Sequence, residues 1–460
     1  MSKLLSEAKA CLLLAIPLAA AQLAQASTNF FDTVMMGWLG SKTIAAGALG
    51  SMVFMTLVLI FTGVISAVGA IAALAFGAGD TDRISRLNSQ GLWLSVFLSL
   101  PIMVLIWHFG PILIALGQDP SNVLLAETYM KAIVWGFPAS MGFAVFRNII
   151  SALNKPRPIM VIMIFGVLLN IIGNYVLSFG KFGFPALGLA GIGWASSISL
   201  WFMFATAASY IQLNKELKKY NIFRHLHQFD RLIFWEILHT GWPIGVLLGV
   251  EAGLFSVTAL LMGYLGTITL AAHQIALQTA VMTYMVAVGV SYATTIRVGQ
   301  LRGANDAIGA RRAGYVGMGI SAIFMSAMAL IFWRYPDKIV ALYLDIKNPD
   351  NLEVVKLSIS LLAIAAMFQI LDGIQSTAGG ALRGLKDTRI PMFIGIFSYW
   401  CVGLFAGYIM GFRFGWKGAG LWLGLVIGLA FAATILTWRF HRVTSPLVRE
   451  QKFQFLASNK

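Results

Sequence analysis

The chain has 460 residues, of which 58% are hydrophobic and 11% are charged. A soluble domain carries about a quarter charged residues, so this composition excludes an ordinary soluble protein. The formal net charge of +15 could indicate a nucleic-acid partner, but in a membrane protein it more often comes from basic cytoplasmic loops. Cys11 and Cys401 both lie in apolar stretches, so they indicate neither a disulfide framework nor a metal site.

Apolar stretches long enough to cross a bilayer recur along the whole chain. A hydrocarbon core of about 30 Å needs about 20 helical residues, which predicts an all-α integral membrane protein with twelve transmembrane helices. The predicted spans are 10–38, 44–76, 91–116, 124–152, 158–180, 189–212, 231–263, 269–299, 311–334, 354–382, 390–411 and 416–440.

The distribution of basic residues predicts the orientation and the division into domains. Most of the 33 Lys and Arg residues fall on the side that would hold both termini, which places both termini in the cytoplasm and explains the charge without nucleic acid. The stretch "LNKELKKYNIFRHLHQFDR" is the most basic connector. We therefore predict an N-terminal six-helix lobe (1–212), a basic cytoplasmic linker (213–230), a C-terminal six-helix lobe (231–442) and a cytoplasmic tail (443–460).

The two halves of the chain resemble each other. "MMGWLGSKTIAAGALG" (35–50) aligns with "LMGYLGTITLAAHQIA" (261–276), with identical residues at seven of the 16 positions, and the same offset pairs Pro17 with Pro243. This pattern predicts two pseudo-symmetric six-helix bundles in a parallel repeat, which is typical of secondary transporters. It also identifies the first apolar stretch as a structural helix and not a signal peptide, because the stretch has a counterpart in the second half.

Three carboxylates lie well inside predicted spans: Asp32, Glu251 and Asp372. A charge at the centre of a membrane helix costs at least about 2.5–3.5 kcal/mol, so it indicates either a function or a satisfied structural cluster. In the repeat, Asp32 matches Thr258 and Glu251 matches Gln25, so the acids differ between the halves. Gln25 and Asn29 lie beside Asp32 on the polar side of the first span.

Asn170 and Asn174 are four residues apart and share one side of the fifth span. Amide and carboxylate oxygens suit a hard cation, so Asp32, Asn170 and Asn174, with Ser196 as an additional ligand, form one candidate Na⁺ or proton site. Glu251 and Asp372 form a second one. The alternative is that the asparagines only join packed helices. Further candidates for contact with a substrate are Gln25, Asn29, Gln278 and Phe368.

Motifs for enzymatic chemistry are missing from the sequence. It has no phosphate-binding G-x-x-x-x-G-K-[ST], no H-E-x-x-H and no G-x-S-x-G. We therefore expect no ATP hydrolysis, no catalytic residues and no cofactor beyond a coupling ion. His273 opens the eighth span as a packing residue or a proton relay, and His225 and His227 are expected in a solvated linker.

At several stretches the chain resembles the multidrug and toxic compound extrusion family, in particular its bacterial NorM-like branch. The stretches are "FFDTVMMGWLG", "GWPIGVLLGVEAGLF", "AAHQIALQ", "LNIIGNYVL" and "ALRGLKDTRIPM", and the resemblance covers about residues 8–440. It implies two six-helix bundles around a central cleft, with Asp32 as the acid of the N-terminal lobe and Glu251 and Asp372 as those of the C-terminal lobe. Phe368 replaces a Tyr of some sodium-coupled relatives, which weakens the case for sodium in the second lobe.

The resemblance therefore implies a multidrug efflux antiporter. It would export organic cations of the fluoroquinolone or ethidium kind across a bacterial inner membrane in exchange for Na⁺ or H⁺, and it would function as a monomer. One alternative is a flippase for a lipid-linked precursor, which would favour a basic cavity. The other is an intramembrane enzyme or a receptor, which would need a nucleophile or a metal site.

Overall fold

The computed structural model of the chain describes residues 2–458, and it is built from long helices. Within that part of the chain, twelve helices are long and apolar enough to cross a membrane, which confirms the predicted fold class. They are α1 Ser2–Trp38, α2 Ser41–Gly77, α3 Thr81–Trp107, α4 Pro120–Ala152, α5 Pro156–Phe179, α6 Leu189–Leu213, α7 Arg231–Tyr264, α8 Thr267–Gly303, α9 Ala307–Arg334, α10 Leu352–Gly384, α11 Arg389–Arg413 and α12 Lys417–Ser458.

The internal repeat is visible in the turns between helices. Gly40 before α2 and Gly266 before α8 are equivalent in the alignment, and both have a positive φ, of 123° and 121°. Asp80 and Asp306 are also equivalent, and each side chain caps the helix that follows by accepting a backbone N–H bond. The same backbone geometry thus recurs at the sequence offset, as a parallel repeat requires.

The described chain forms two compact units, which we call the N-unit and the C-unit. The N-unit is Ala20–Val246, and the C-unit contains the residues from Leu247 onward together with those before Ala20. Helices α1 and α7 therefore each change unit two or three residues after a proline, Pro17 and Pro243, at equivalent places in the repeat. The first half of α1 therefore belongs to the C-unit and the first half of α7 to the N-unit.

Close backbone contacts at glycines hold the first halves of α1 and α7 in place. A Cβ atom on Gly289 of α8 would lie 2.5 Å from the backbone of Ala19 in α1, and one on Gly241 of α7 would lie 2.1 Å from the carbonyl oxygen of Val64 in α2. Only glycine permits backbones to approach so closely. The beginning of α1 is also joined to α8 by the Glu7–Arg297 ion pair, at 2.8 Å.

Helices α11 and α12 pack through facing glycines. Gly403, Gly407 and Gly411 of α11 face Gly428, Gly424 and Gly420 of α12, and a Cβ atom on Gly424 would lie 2.2 Å from the Cα of Gly407. The four-residue spacing puts each set on one side of its helix, as in small-xxx-small packing. Within α11 the helix widens to π-helical turns at Phe397–Leu404 and Ile409–Arg413.

The helices differ most from the predicted spans in two places. The third span was placed at 91–116, but α3 begins at Thr81 because Asp80 caps it, and a separate short helix, Gly110–Ala115, follows its end. The twelfth span was ended at 440, but α12 continues through the predicted tail to Ser458, and the last two residues of that tail lie outside the described chain.

The central linker is docked on α3. Asn88 donates to the carbonyl oxygen of Ile222 and Gln90 donates to that of Gln228, at 3.1 and 2.7 Å. His225, which we expected in a solvated loop, lies 2.9 Å from the carboxylate of Asp82 in α3. The polar first turns of α3, which misled the prediction of the third span, therefore serve to hold the linker.

Candidate functional site

A buried polar cluster in the N-unit joins α1, α5 and α6. Asp32 is 5% exposed, and Asn174 Nδ2 donates to its Oδ1 at 2.6 Å. The same Nδ2 donates to Asn170 Oδ1 at 3.2 Å, and Asn170 Nδ2 donates to Ser196 Oγ at 3.0 Å. The structure thus brings together the four residues that the sequence grouped as the first candidate site.

Asp32 acts only as an acceptor in the hydrogen bonds of this cluster. The Nδ2 amino group of Asn174 donates to two oxygens, of Asp32 and Asn170, and a cation at the position of this nitrogen would contact both of them. The Oδ1 of Asn174 is buried and has no hydrogen-bond partner in the described chain. A half-turn of the amide would exchange Nδ2 and Oδ1 and direct three oxygens, from Asp32, Asn170 and Asn174, toward one point.

Two further hydroxyl groups extend this cluster, and the sequence analysis missed both. Ser178 is one turn after Asn174 on the same side of α5. Tyr129 of α4 is near enough to Asp32 to interact with it electrostatically. Both hydroxyl oxygens are buried without a hydrogen-bond partner in the described chain. Ser178 continues the four-residue spacing of Asn170 and Asn174, so the sequence contained a signal for it, whereas nothing in the sequence indicated Tyr129.

The polar positions nearer the start of α1 are not part of the cluster. Asn29 is exposed and Gln25 is partly exposed, and no hydrogen bond of either side chain is found within the described chain. Both are therefore accessible at the surface of α1. This is compatible with a contact to a substrate, but it separates them from the ion ligands.

A second cluster lies in the C-unit around Glu251 and Asp372. Asp372 is 3% exposed and accepts a hydrogen bond from Gln375 Nε2 at 3.3 Å, and Glu251 of α7 is a charged neighbour of it. The two acids, which come from different helices, are therefore brought together as predicted from their positions in spans. Two carboxylates in one apolar setting repel each other, which favours uptake of a cation or a proton.

Three aromatic or basic residues complete this second cluster and were missed in the sequence analysis. Tyr284 of α8 and Arg383 of α10 lie beside Glu251, and Tyr399 of α11 lies beside Gln375. Arg383 also donates to Ser291 Oγ at 3.1 Å. Arg383 follows Asp372 by eleven residues, which is three helical turns, so its position on the same side of α10 was readable from the sequence.

The other predicted residues of the C-unit differ in exposure. Gln278 is exposed, whereas Phe368 is 3% exposed and packs edge-on against Phe255 and Trp422, with ring centroids 6.2 and 5.5 Å away. His273 is fully buried, and its Nδ1 accepts a hydrogen bond from Trp422 Nε1 at 3.2 Å. Phe368 and His273 therefore belong to the packed core of the unit in this conformation.

The ligand types of the two clusters suit different roles. The N-unit cluster offers one carboxylate and neutral oxygens, a set that matches a hard monovalent cation or a proton. The C-unit cluster has two carboxylates and a guanidinium, so it holds less net negative charge than its acids alone would give. No group of three or more His, Cys, Asp or Glu side chains that could hold a metal ion occurs within the described residues.

The chain matches a known protein family and named relatives over most of its length. The family model MatE matches residues 17–176 and again 243–409, and the two matches begin at the repeat-equivalent prolines. A relative from Synechocystis, named probable multidrug resistance protein NorM, is 44% identical over 438 residues, which is 95% of each chain. A protein of the same name from Pseudomonas aeruginosa is 42% identical over 96% of this chain and 91% of its own length.

The fold is also similar to that of solved structures. One of them, described as the outward-facing conformation of a multidrug resistance MATE family transporter of the MOP superfamily, superimposes with a TM-score of 0.88. The superposition covers 96% of this chain and 97% of the other, at 19% sequence identity. At that identity the similarity supports the twelve-helix fold alone.

Proposed function

Since the chain belongs to the MatE family, we propose that it is a multidrug efflux transporter that exports small organic cations in exchange for inward Na⁺ or H⁺. The observation that carries the proposal is the buried carboxylate of Asp32, held by Asn174, whose own amide oxygen has no hydrogen-bond partner among the described residues. An intramembrane carboxylate of this kind is costly unless it binds something. The relatives named probable multidrug resistance protein NorM support the cargo class.

The exchange of substrate for ion follows because the cationic substrate and the coupling ion compete for the same negatively charged carboxylate. An ionised acid attracts a cationic, partly apolar substrate, and its neutralisation by Na⁺ or H⁺ weakens that attraction and releases the substrate. Such coupling requires that each ligand has different affinities for the two access states. The inward ion is driven by the membrane potential, at about 2.3 kcal/mol per charge per 100 mV.

Na⁺ and H⁺ would act differently on Asn174. Because Nδ2 now points at Asp32, binding of Na⁺ requires the amide to turn so that its oxygen faces the ion. A proton on the free oxygen of Asp32 needs no such turn, because the other oxygen still accepts from Nδ2. This difference makes Asn174 the residue at which the two coupling ions are distinguished.

The protein is proposed to act as a monomer in a bacterial inner membrane, with both termini in the cytoplasm. The basic linker and the basic end of α12 support this orientation by the positive-inside rule. A transporter also accounts for the two acid clusters better than an enzyme does. A flippase for a lipid-linked precursor is disfavoured, because both clusters are centred on carboxylates, which would repel a pyrophosphate head group.

The experiment is efflux of ethidium or norfloxacin from proteoliposomes that contain the purified protein. An inward Na⁺ gradient is imposed first and an inward pH gradient second, each at a clamped membrane potential. Acceleration by one gradient identifies the coupling ion. The Asp32→Asn variant is expected to lose it, and full-rate coupled export by that variant would contradict the role of Asp32. Movement of a fluorescent lipid pyrophosphate without export of cations would favour the flippase instead.

A further inference from the structure

The last turns of α12 carry a basic and aromatic stripe that the transport function does not use. Trp438, Arg442, Ser445, Arg449 and Phe453 lie three or four positions apart, so they share one side of the helix. They line an open cavity of about 680 Å³ along that side, which we call the α12 cavity. The cavity lies where the apolar part of α12 gives way to charged residues, at the expected boundary of a membrane.

The charges of the cavity are not balanced within the described chain. Arg442 and Arg449 are exposed, and neither has an ion-pair partner among the described residues, whereas Arg439 on another side of α12 binds Asp387 at 2.9 Å. Glu450 also lines the cavity and offsets part of the charge. The Arg442 guanidinium lies 5.3 Å from the ring centroid of Trp438, which orients it along the stripe.

His441 also borders the cavity, but its ring is already engaged. Its Nδ1 lies 2.8 Å from Arg311 Nη2 and 2.9 Å from the Tyr315 hydroxyl. Arg311 thereby brings a further positive charge close to the cavity. The two guanidinium groups remain free to bind a ligand, and the Cα atoms of the two arginines lie about 10 Å apart along the helix axis at 1.5 Å per residue.

The two ends of the stripe are apolar and exposed. Trp438 is 55% exposed and Phe453 is 72% exposed. A free phosphate ion or a nucleotide would leave Trp438 in water, whereas the acyl chains of a lipid would cover it. Trp at the boundary and Arg beside it are the residues by which membrane proteins contact the interface and its anionic head groups.

We propose that the α12 cavity binds the head group of an anionic glycerophospholipid, with its phosphate held between Arg442 and Arg449 and its acyl chains against Trp438. The charge complementarity selects an anionic lipid over a zwitterionic one. The site lies in the C-unit, and its lining residues belong to neither acid cluster, so it is independent of the identity of the exported cargo.

The test is titration of the purified full-length protein with phosphatidylglycerol or phosphatidylcholine in detergent, with bound lipids counted by native mass spectrometry. The R442Q/R449Q variant is expected to bind phosphatidylglycerol about tenfold more weakly and phosphatidylcholine unchanged. The matched control is R413Q/K417Q, which also removes two exposed charges. Arg413 ends α11 and Lys417 begins α12, at the opposite end of that helix from the cavity. It is expected to bind both lipids like the wild type.

Two further measurements make the result decisive. The R442K/R449K variant keeps the charge and is expected to retain the preference for phosphatidylglycerol, and a melting curve confirms that each variant is folded. Equal phosphatidylglycerol binding by R442Q/R449Q and wild type, or equal losses in both double variants, would overturn the proposal. Displacement of the lipid by millimolar inorganic phosphate would also overturn it, since that would identify a site for the free anion.

Discussion

The amide of Asn174 donates a 2.6 Å hydrogen bond to the carboxylate of Asp32, and this bond connects α5 to α1. It is a short bond between two buried side chains, so it fixes both of them. Because the same amide also contacts Asn170, a change at Asn174 alters the whole cluster. The first prediction therefore concerns this residue.

Asn174→Leu should uncouple transport while leaving the fold intact. The variant removes the amide oxygen that would face Na⁺ after the turn, and an interaction with a charged group is worth about 1.5–3 kcal/mol, so binding of Na⁺ should weaken about 10- to 100-fold. The measurement is the concentration of Na⁺ that gives half-maximal efflux. Ser199→Ala is the matched control, because it removes a buried hydrogen bond between α6 and the Gly166 carbonyl of α5 outside the cluster. If both variants lose activity equally, helix packing and not ion binding explains the effect.

Arg383→Gln should make the C-unit cluster bind cations more tightly. The guanidinium lies near Glu251 and repels any cation that approaches that acid, so its removal should lower the half-saturating Na⁺ or substrate concentration. Turnover should fall at the same time, because a tighter ligand is released more slowly. Arg383→Lys keeps the charge and should behave like wild type in both parameters. Equal weakening by Gln and Lys would instead indicate that the bond from Arg383 to Ser291 matters more than the charge.

The sequence predicts those parts of the site that lie along one helix better than those that come from several. The pair Asn170 and Asn174 was visible because a four-residue spacing fixes a shared side. Tyr129 and Tyr284 were not predicted, because whether another helix turns a tyrosine toward an acid depends on how the helices pack. The third span was misplaced for a related reason: its polar first turns bind the linker, and a hydropathy pattern reads such turns as loop.

Gly424→Val should destabilise the contact between α11 and α12. A Cβ atom at Gly424 would lie 2.2 Å from the Cα of Gly407, and because backbone is in the way, the helices must move apart. Overpacking of this kind costs about 1–3 kcal/mol or more. Gly319→Val in α9 is the control, since a Cβ atom there meets nothing within 4 Å. Thermal melting in detergent should show a clear loss for the first variant and little change for the second; equal melting temperatures would contradict the close packing of α11 on α12.

Glu7→Gln should destabilise the attachment of the beginning of α1 to α8. Glu7 accepts two hydrogen bonds of 2.8 Å from Arg297, and the two side chains are only 11% and 18% exposed. Removal of one charge from a buried pair is costly, at about 3–5 kcal/mol when burial is complete, because the other charge is left unpaired; partial exposure reduces this figure. The melting temperature should therefore fall by several degrees, and Glu7→Gln combined with Arg297→Gln should recover part of the loss because no charge then remains unpaired.

Glu216→Gln is the matched control for that experiment, because it breaks an ion pair at the surface. Lys155 holds the pKa of the Glu216 carboxyl below its usual range, mainly through their hydrogen bond, so the pair contributes above the pKa of the unfolded chain and is lost as the pH falls through the lowered value. At pH 7 the pair is fully formed, yet Glu216 is solvent-exposed and water screens the attraction. Its loss should leave the melting temperature unchanged. A fall as large as that of Glu7→Gln would show that burial does not set the strength of these pairs.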